Sequence, residues 1–211
     1  MMKKMTFSPK RIFNFGFFAF LAMFSLFAYP FVANYALQYW RVTQNDGVIA
    51  PLFTDQVQHW EADIATWSDA YDIDPNLMAT IMQIESCGHP TVVSHAGARG
   101  LFQVMPFHFS SGEDMLDPYT NAYRSANFIR ECTSYADGDI GLTLACYNGG
   151  PSVTQRAYDT WANETQRYYV WGLTIYRDAL TFSDHSDNLD QWLRAGGVNL
   201  CNSAAVALGI R

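Results

Sequence analysis

Glu85 is the residue around which a reaction could be built. It closes the stretch Asp74-Pro75-Asn76-Leu77-Met78-Ala79-Thr80-Ile81-Met82-Gln83-Ile84-Glu85-Ser86-Cys87-Gly88. Asp74 is a good N-cap, Pro75 suits the first helical position, and Gly88 can end a helix in a left-handed turn. Leu77, Ile81 and Ile84 run along one edge of the predicted helix, and Met78, Met82 and Glu85 along the neighbouring edge, so Glu85 leans on the apolar face. Burial there disfavours the charged carboxylate and raises its pKa, the property a general acid needs near neutral pH. A helix-end Glu paired with an Arg or left in water fits the same spacing, and helix geometry alone favours that structural role.

Other stretches carry side chains suited to holding a ligand. Ser94-His95-Ala96-Gly97-Ala98-Arg99-Gly100-Leu101-Phe102-Gln103-Val104-Met105-Pro106 combines a hydroxyl, glycines that let the backbone turn closely beneath a ligand, and the Gln103 amide, which can donate and accept at once. Ala145-Cys146-Tyr147-Asn148-Gly149-Gly150-Pro151 presents a phenol, and Glu164-Thr165-Gln166-Arg167-Tyr168 an acid and a second phenol. Each has an inert reading. Gln103 can tie two loops together as a buried amide. Tyr147 can end the core face of its helix. Asn148 can belong to a helix stop, and Glu164 can favour its helix's amino end.

The histidines His59, His89, His95, His108 and His185 show no zinc-ligand spacing, and Cys87 with His89 and His95 reads as a coincidence within a loop. No metal or cofactor is expected, and a Cys-His nucleophile site is equally weak. The four cysteines admit three pairings. Cys132 and Cys146 flank the Asp137-Gly138-Asp139 turn and face each other if the helices on either side fold back antiparallel, which leaves Cys87 with Cys201 as a clip from the tail to the acid's helix.

The elements that must position these groups are mostly helices. Thr54 is expected to cap a helix in which Val57, Trp60, Ile64 and Trp67 recur at helical spacing. The Glu85 helix follows, then a loop over 88–99 rich in turn residues. Asp117-Pro118 opens a helix to about Ala136, Ile140 to Tyr147 forms another, and Thr165 to Phe182 a third with Tyr168, Trp171, Ile175 and Phe182 inward. After Ser183 the chain reads as a polar tail with a weak helix near Ala204 to Leu208. Convincing β alternation, internal repeats and low-complexity tracts are absent.

Residues 12–40 carry no charge and are rich in Phe, enough as a helix to cross a bilayer of about 30 Å. Lys3, Lys4, Lys10 and Arg11 precede them, which places residues 1–11 in the cytoplasm and the chain after Arg41 outside it, as a single-pass protein of the cell membrane. The stretch exceeds the roughly 7–15 residues of a signal-peptide core, and its end offers no good pair of small residues two apart, so an anchor is expected in preference to a cleaved signal. Residues 41–54 read as a linker, 55–182 as the catalytic domain and 183–211 as the tail. Five of the 13 basic residues lie at or before Arg41, so eight arginines face all 20 acids over residues 42–211, a formal charge of −12. Such a surface disfavours nucleic acid, whose binding leans on Lys and Arg that displace phosphate counterions.

The blocks Glu85-Ser86, Gly100-Leu101-Phe102-Gln103, Ala145-Cys146-Tyr147-Asn148 and Glu164-Thr165-Gln166-Arg167-Tyr168 together resemble, in order, those of the lytic transglycosylases with a goose-type lysozyme-like fold. The resemblance covers about Gln56 to Ala179. It implies a mainly α catalytic domain that cleaves the β-1,4 bond between N-acetylmuramic acid and N-acetylglucosamine in peptidoglycan glycan strands. It further implies Glu85 as sole catalytic acid, with Ser94, Gln103, Tyr147, Asn148, Glu164 and Tyr168 around the sugar. Most glycosidases pair two carboxylates. In this family the substrate's acetamido group replaces the second, and the product is a 1,6-anhydro sugar. Three departures stand out: Gly88 where many relatives carry an aromatic residue, Phe102 for the usual Met, and Cys146 for a small residue. The first bears on a sugar-facing contact. A hydrolytic muramidase of the same fold and an inactive wall-binding protein are the competing readings, and retention of Glu85 with Ser94, Gln103 and Tyr147 counts against the latter.

Overall fold

The computed structural model describes residues 47–210. The expected cytoplasmic segment, anchor and first part of the linker lie outside the described residues. Helix α3 (Pro75–Glu85) is the central element. Its cap follows from sequence: the Asp74 carboxylate accepts from the backbone N–H of Asn76 at 2.8 Å and of Leu77 at 3.1 Å, with Pro75 in the first turn. Every residue from Asn76 to Gln83 is buried, so the helix is enclosed on all sides rather than on one face.

Around it lie α1 (Asp55–Gln58), α2 (Glu61–Tyr71), α4 (Pro118–Tyr135), α5 (Ile140–Gly149) and α6 (Asn163–Ala179). Helices α2 and α6 pack on α3, and α5 is held between α4 and α6. The Asp-Pro cap recurs at α4, where Asp117 accepts from Thr120 N–H at 2.8 Å, and Asp139 caps α5 through Leu142 N–H at 2.7 Å. Helix α5 continues past Tyr147 to Gly149 and ends where Gly150 takes φ +80°. Cys132 of α4 is bonded to Cys146 of α5 with the Cα atoms 5.5 Å apart, and Cys87, just after α3, to Cys201 with the Cα atoms 5.0 Å apart.

Three expectations are corrected. The described part of the linker, residues 47–54, is core. Ile49, Ala50, Leu52 and Phe53 are buried, Ala50 N–H donates to Asn76 Oδ1 at 2.8 Å, and Thr54 N–H donates to Gln83 Oε1 at 3.1 Å. Long-range side-chain acceptors, with a local turn bond from Phe53 N–H to Ala50 O at 3.4 Å, satisfy this irregular backbone. Second, the helix after Thr54 is two helices. Trp60 interrupts it at φ −94°, ψ 8°, its indole N–H donating to Gly88 O at 2.9 Å, and the Thr54 hydroxyl serves Gln83 instead of capping. Third, the tail is structured. Helix α7 (Asp187–Trp192) and helix α8 (Val198–Leu208), joined by a π turn, bury Leu189, Trp192, Cys201 and Ala204. Asp178 of α6 accepts from Ser186 Oγ at 2.6 Å and Asn188 Nδ2 at 2.9 Å, fixing the start of α7. Sequence pattern concealed these contacts because inward-facing Leu189, Trp192, Cys201 and Ala204 are interspersed with polar residues and with exposed apolar ones such as Val198 and Val206.

Candidate active site

Glu85 is the last residue of α3, and a cleft of about 460 Å³ opens at that helix end. Part of the residue's surface meets the cleft, while the carboxyl is packed closely enough for burial to push its pKa from 4.5 to about 8. Tyr168 pulls it back down and the charge of Glu164 pushes it further up. The carbonyl end of the helix works in the same direction as burial. Glu85 is thus held in its protonated form at neutral pH.

Ser94, Gln103, Tyr147, Asn148 and Glu164 line the cleft with Glu85. Ser94 Oγ accepts from Ala98 N–H at 3.0 Å, shaping the 94–98 turn, and among the described residues its own proton is left to be donated. Gln103 sits at φ +47°, and its Nε2 donates to Val92 O at 3.1 Å and Gly100 O at 3.0 Å. The amide therefore does tie the loop together, and its oxygen is the group it can offer the cleft. Tyr147 presents its ring, but its hydroxyl donates to Phe102 O at 2.8 Å and bonds Ser125 Oγ at 2.9 Å, so its bonds go to these partners and not to Glu85. Asn148 Oδ1 accepts from Thr165 Oγ1 at 2.9 Å, linking α5 to α6. Glu164, in the first turn of α6, is exposed at the rim.

Tyr168 is not a lining residue. It lies buried behind Glu85, near enough to lower the acid's pKa, yet its oxygen has no partner in hydrogen-bonding geometry among the described residues. Gly88 is also away from the cleft: its hydrogen face abuts Gln56 O, where an added Cβ would sit 2.5 Å away, so its departure from the family pattern concerns packing and not a sugar contact. At Gly100, φ is +70° and an added Cβ would meet Asn121 Nδ2 at 2.8 Å. A neighbouring side chain, rather than a ligand, explains that glycine.

Sequence reasoning passed over several contributors. Ser86 Oγ donates to Leu101 O at 2.5 Å and accepts from Gly88 N–H at 3.1 Å, locking the acid's helix end onto the 101–103 turn. Asn121 accepts from Phe102 N–H at 2.9 Å and donates to Arg99 O at 2.8 Å. His108, Phe128 and Arg156 line the cleft. The Ser beside Glu85 was visible as a pair, but its partner sits 15 residues on. Among the described residues no cluster of three His, Cys, Asp or Glu side chains is assembled that could hold a metal ion.

The geometry thus sets one carboxyl, raised by burial, at the base of a cleft among helices. The family model named Transglycosylase SLT domain matches residues 63–170, just over half the chain, and the chain belongs to that family. A transglycosylase of Enterobacteria phage PRD1 is 37% identical over 114 residues, which span 53% of this chain and 40% of that protein. Membrane-bound lytic murein transglycosylase C of Sodalis glossinidius is 30% identical over 113 residues, 43% of this chain and 31% of that protein. The chain thus spans less than half the length of either relative. The solved structure of an inactive mutant of lytic transglycosylase Slt from Pseudomonas aeruginosa overlays on 67% of this chain and 24% of its own, with TM-score 0.43 and 18% identity.

Proposed function

We propose that this chain is a membrane-anchored peptidoglycan lytic transglycosylase in which Glu85 performs both proton transfers. The observation that carries the reading is the Glu85 carboxyl, raised to about 8 at the base of the cleft. Protonated, it donates to the glycosidic oxygen as the C1–O4 bond breaks. The substrate's acetamido group stabilises the positive charge developing at C1. The resulting carboxylate then takes the proton of the C6 hydroxyl, whose oxygen closes on C1 to give the 1,6-anhydro sugar, so no water is consumed. Tyr168, whose hydroxyl has no other partner among the described residues, steadies the carboxylate in the second half of the cycle. Ser94 and the Gln103 oxygen face the sugar, and Asn148, through Thr165, holds the cleft wall.

Anchoring rests on the uncharged apolar residues 12–40 behind a basic amino terminus. Among the described residues no helix is long and apolar enough to cross a membrane. A second reading, hydrolysis, is favoured by one observation: Glu164 adds a second carboxylate to the cleft and could serve a water.

Digestion of purified peptidoglycan by the full chain in detergent separates the two, since anhydro ends support lytic cleavage and reducing ends hydrolysis. Glycan binding with no product at all would leave only a wall-binding role, and normal cleavage by Glu85→Gln would refute the assigned acid. Flotation with membranes, compared for the chain with and without residues 1–40, tests the anchor.

A further inference from the structure

Phe107 is 75% exposed, the second most exposed large apolar side chain among the described residues. It sits in a short 3-10 turn, Pro106–His108, whose start Pro106 fixes. Its ring does not stand alone. Its centroid lies 4.5 Å from the His108 imidazole, which lies 4.3 Å from Phe128, which in turn lies 5.3 Å from Tyr147. His108, Phe128 and Tyr147 all line the cleft that holds Glu85. A file of four rings therefore runs from the floor of the site to the surface just beyond its rim, and its outermost member is left uncovered.

An aromatic ring that is braced from behind and continuous with a ligand cleft presents a flat apolar face at low entropic cost. A pyranose ring offers the complementary surface, a face of C–H groups, and an N-acetylhexosamine adds the methyl of its acetamido group. The strongly acidic surface of the domain is no obstacle to such uncharged rings.

We propose that Phe107, backed by His108, forms an additional sugar subsite at the cleft rim, where an N-acetylhexosamine of the glycan strand stacks some distance from the bond being cleaved. The subsite makes the enzyme favour long strands over short ones. This rests on the reading of the cleft as a glycan site, and its test separates the two.

The full chain in detergent is assayed on glycan oligosaccharides of increasing length with Phe107→Ala and Phe107→Trp beside the native sequence. The native chain should gain efficiency with length until the rim subsite is filled. Phe107→Ala should lose that gain, with KM on long strands raised about five- to tenfold, and with kcat, melting temperature and activity on the shortest cleaved oligosaccharide unchanged. Phe107→Trp should keep the gain. An unaltered length dependence in Phe107→Ala, an equal loss at every length, or a failure of Trp to substitute would each overturn the subsite. If the native chain cleaves no glycan, the activity is refuted instead, and binding of long strands by the native chain against Phe107→Ala still decides whether the ring stacks on sugar.

Discussion

Tyr168 lies against Glu85 with its hydroxyl unpaired among the described residues, and it lowers the acid's pKa while burial and Glu164 raise it. The balance of these effects fixes the pH range in which the acid is protonated. With Glu85 at about 8, kcat/KM should fall as pH rises past that value.

Tyr168→Phe removes the phenol that favours the carboxylate, so the basic limb of the kcat/KM profile should move to higher pH while kcat drops. A pH–rate profile with the limb unmoved would show that Tyr168 only fills space.

Glu164→Gln should act in the opposite sense. Loss of its negative charge makes Glu85 easier to ionise, and the basic limb should shift to lower pH. The same variant tests hydrolysis, because a base that activates water cannot be lost without a collapse in rate, whereas lytic cleavage should persist with anhydro products.

Stability should carry the mark of Glu85 as well. A carboxyl raised from 4.5 to about 8 contributes stability that is fully present below pH 4.5 and is lost as pH rises through 8. Glu85→Gln has no such loss, so its stability relative to the native chain should rise as pH goes from about 4.5 to about 8, by a few kcal/mol in all, and stay level above that. Thermal melts across that range measure it, and a margin constant with pH would contradict the burial.

Tyr147→Phe should cost about 1–3 kcal/mol, since it leaves Phe102 O and Ser125 Oγ buried without their partner. Ser125→Ala should reproduce part of that destabilisation without altering any group that lines the cleft. Comparing denaturant midpoints with kcat for the two variants separates the structural work of the phenol from any contact with sugar.

The two disulfides should differ in worth. Cys87–Cys201 closes a loop with a sequence separation of 114 and Cys132–Cys146 one of 14. Chain entropy alone assigns roughly 4.7 kcal/mol to a loop of about 100 residues and roughly 3 kcal/mol to one of about 15. Paired Cys→Ala variants compared by melting temperature should rank in that order.

The amino-acid sequence alone determined the local parts of this protein. Asp74 with Pro75, Asp117 with Pro118, and Asp139 each set a helix start, because a cap acts over two or three residues and needs nothing from elsewhere. The same range places Glu85 on its helix, and the order of the four blocks carries the family. The tertiary structure decided what each polar group is bonded to. Tyr147 meets Phe102 across 45 positions and Ser125 across 22, and Ala50 meets Asn76 across 26. No periodicity encodes such pairs, so residues 47–54 read as a linker and 183–211 as a tail although both help build the core. Glu85 shows the division: its place on an apolar helix edge is written in the spacing, while the closeness of its burial, the phenol behind it and the charge at its rim exist only once α3 and α6 are packed together.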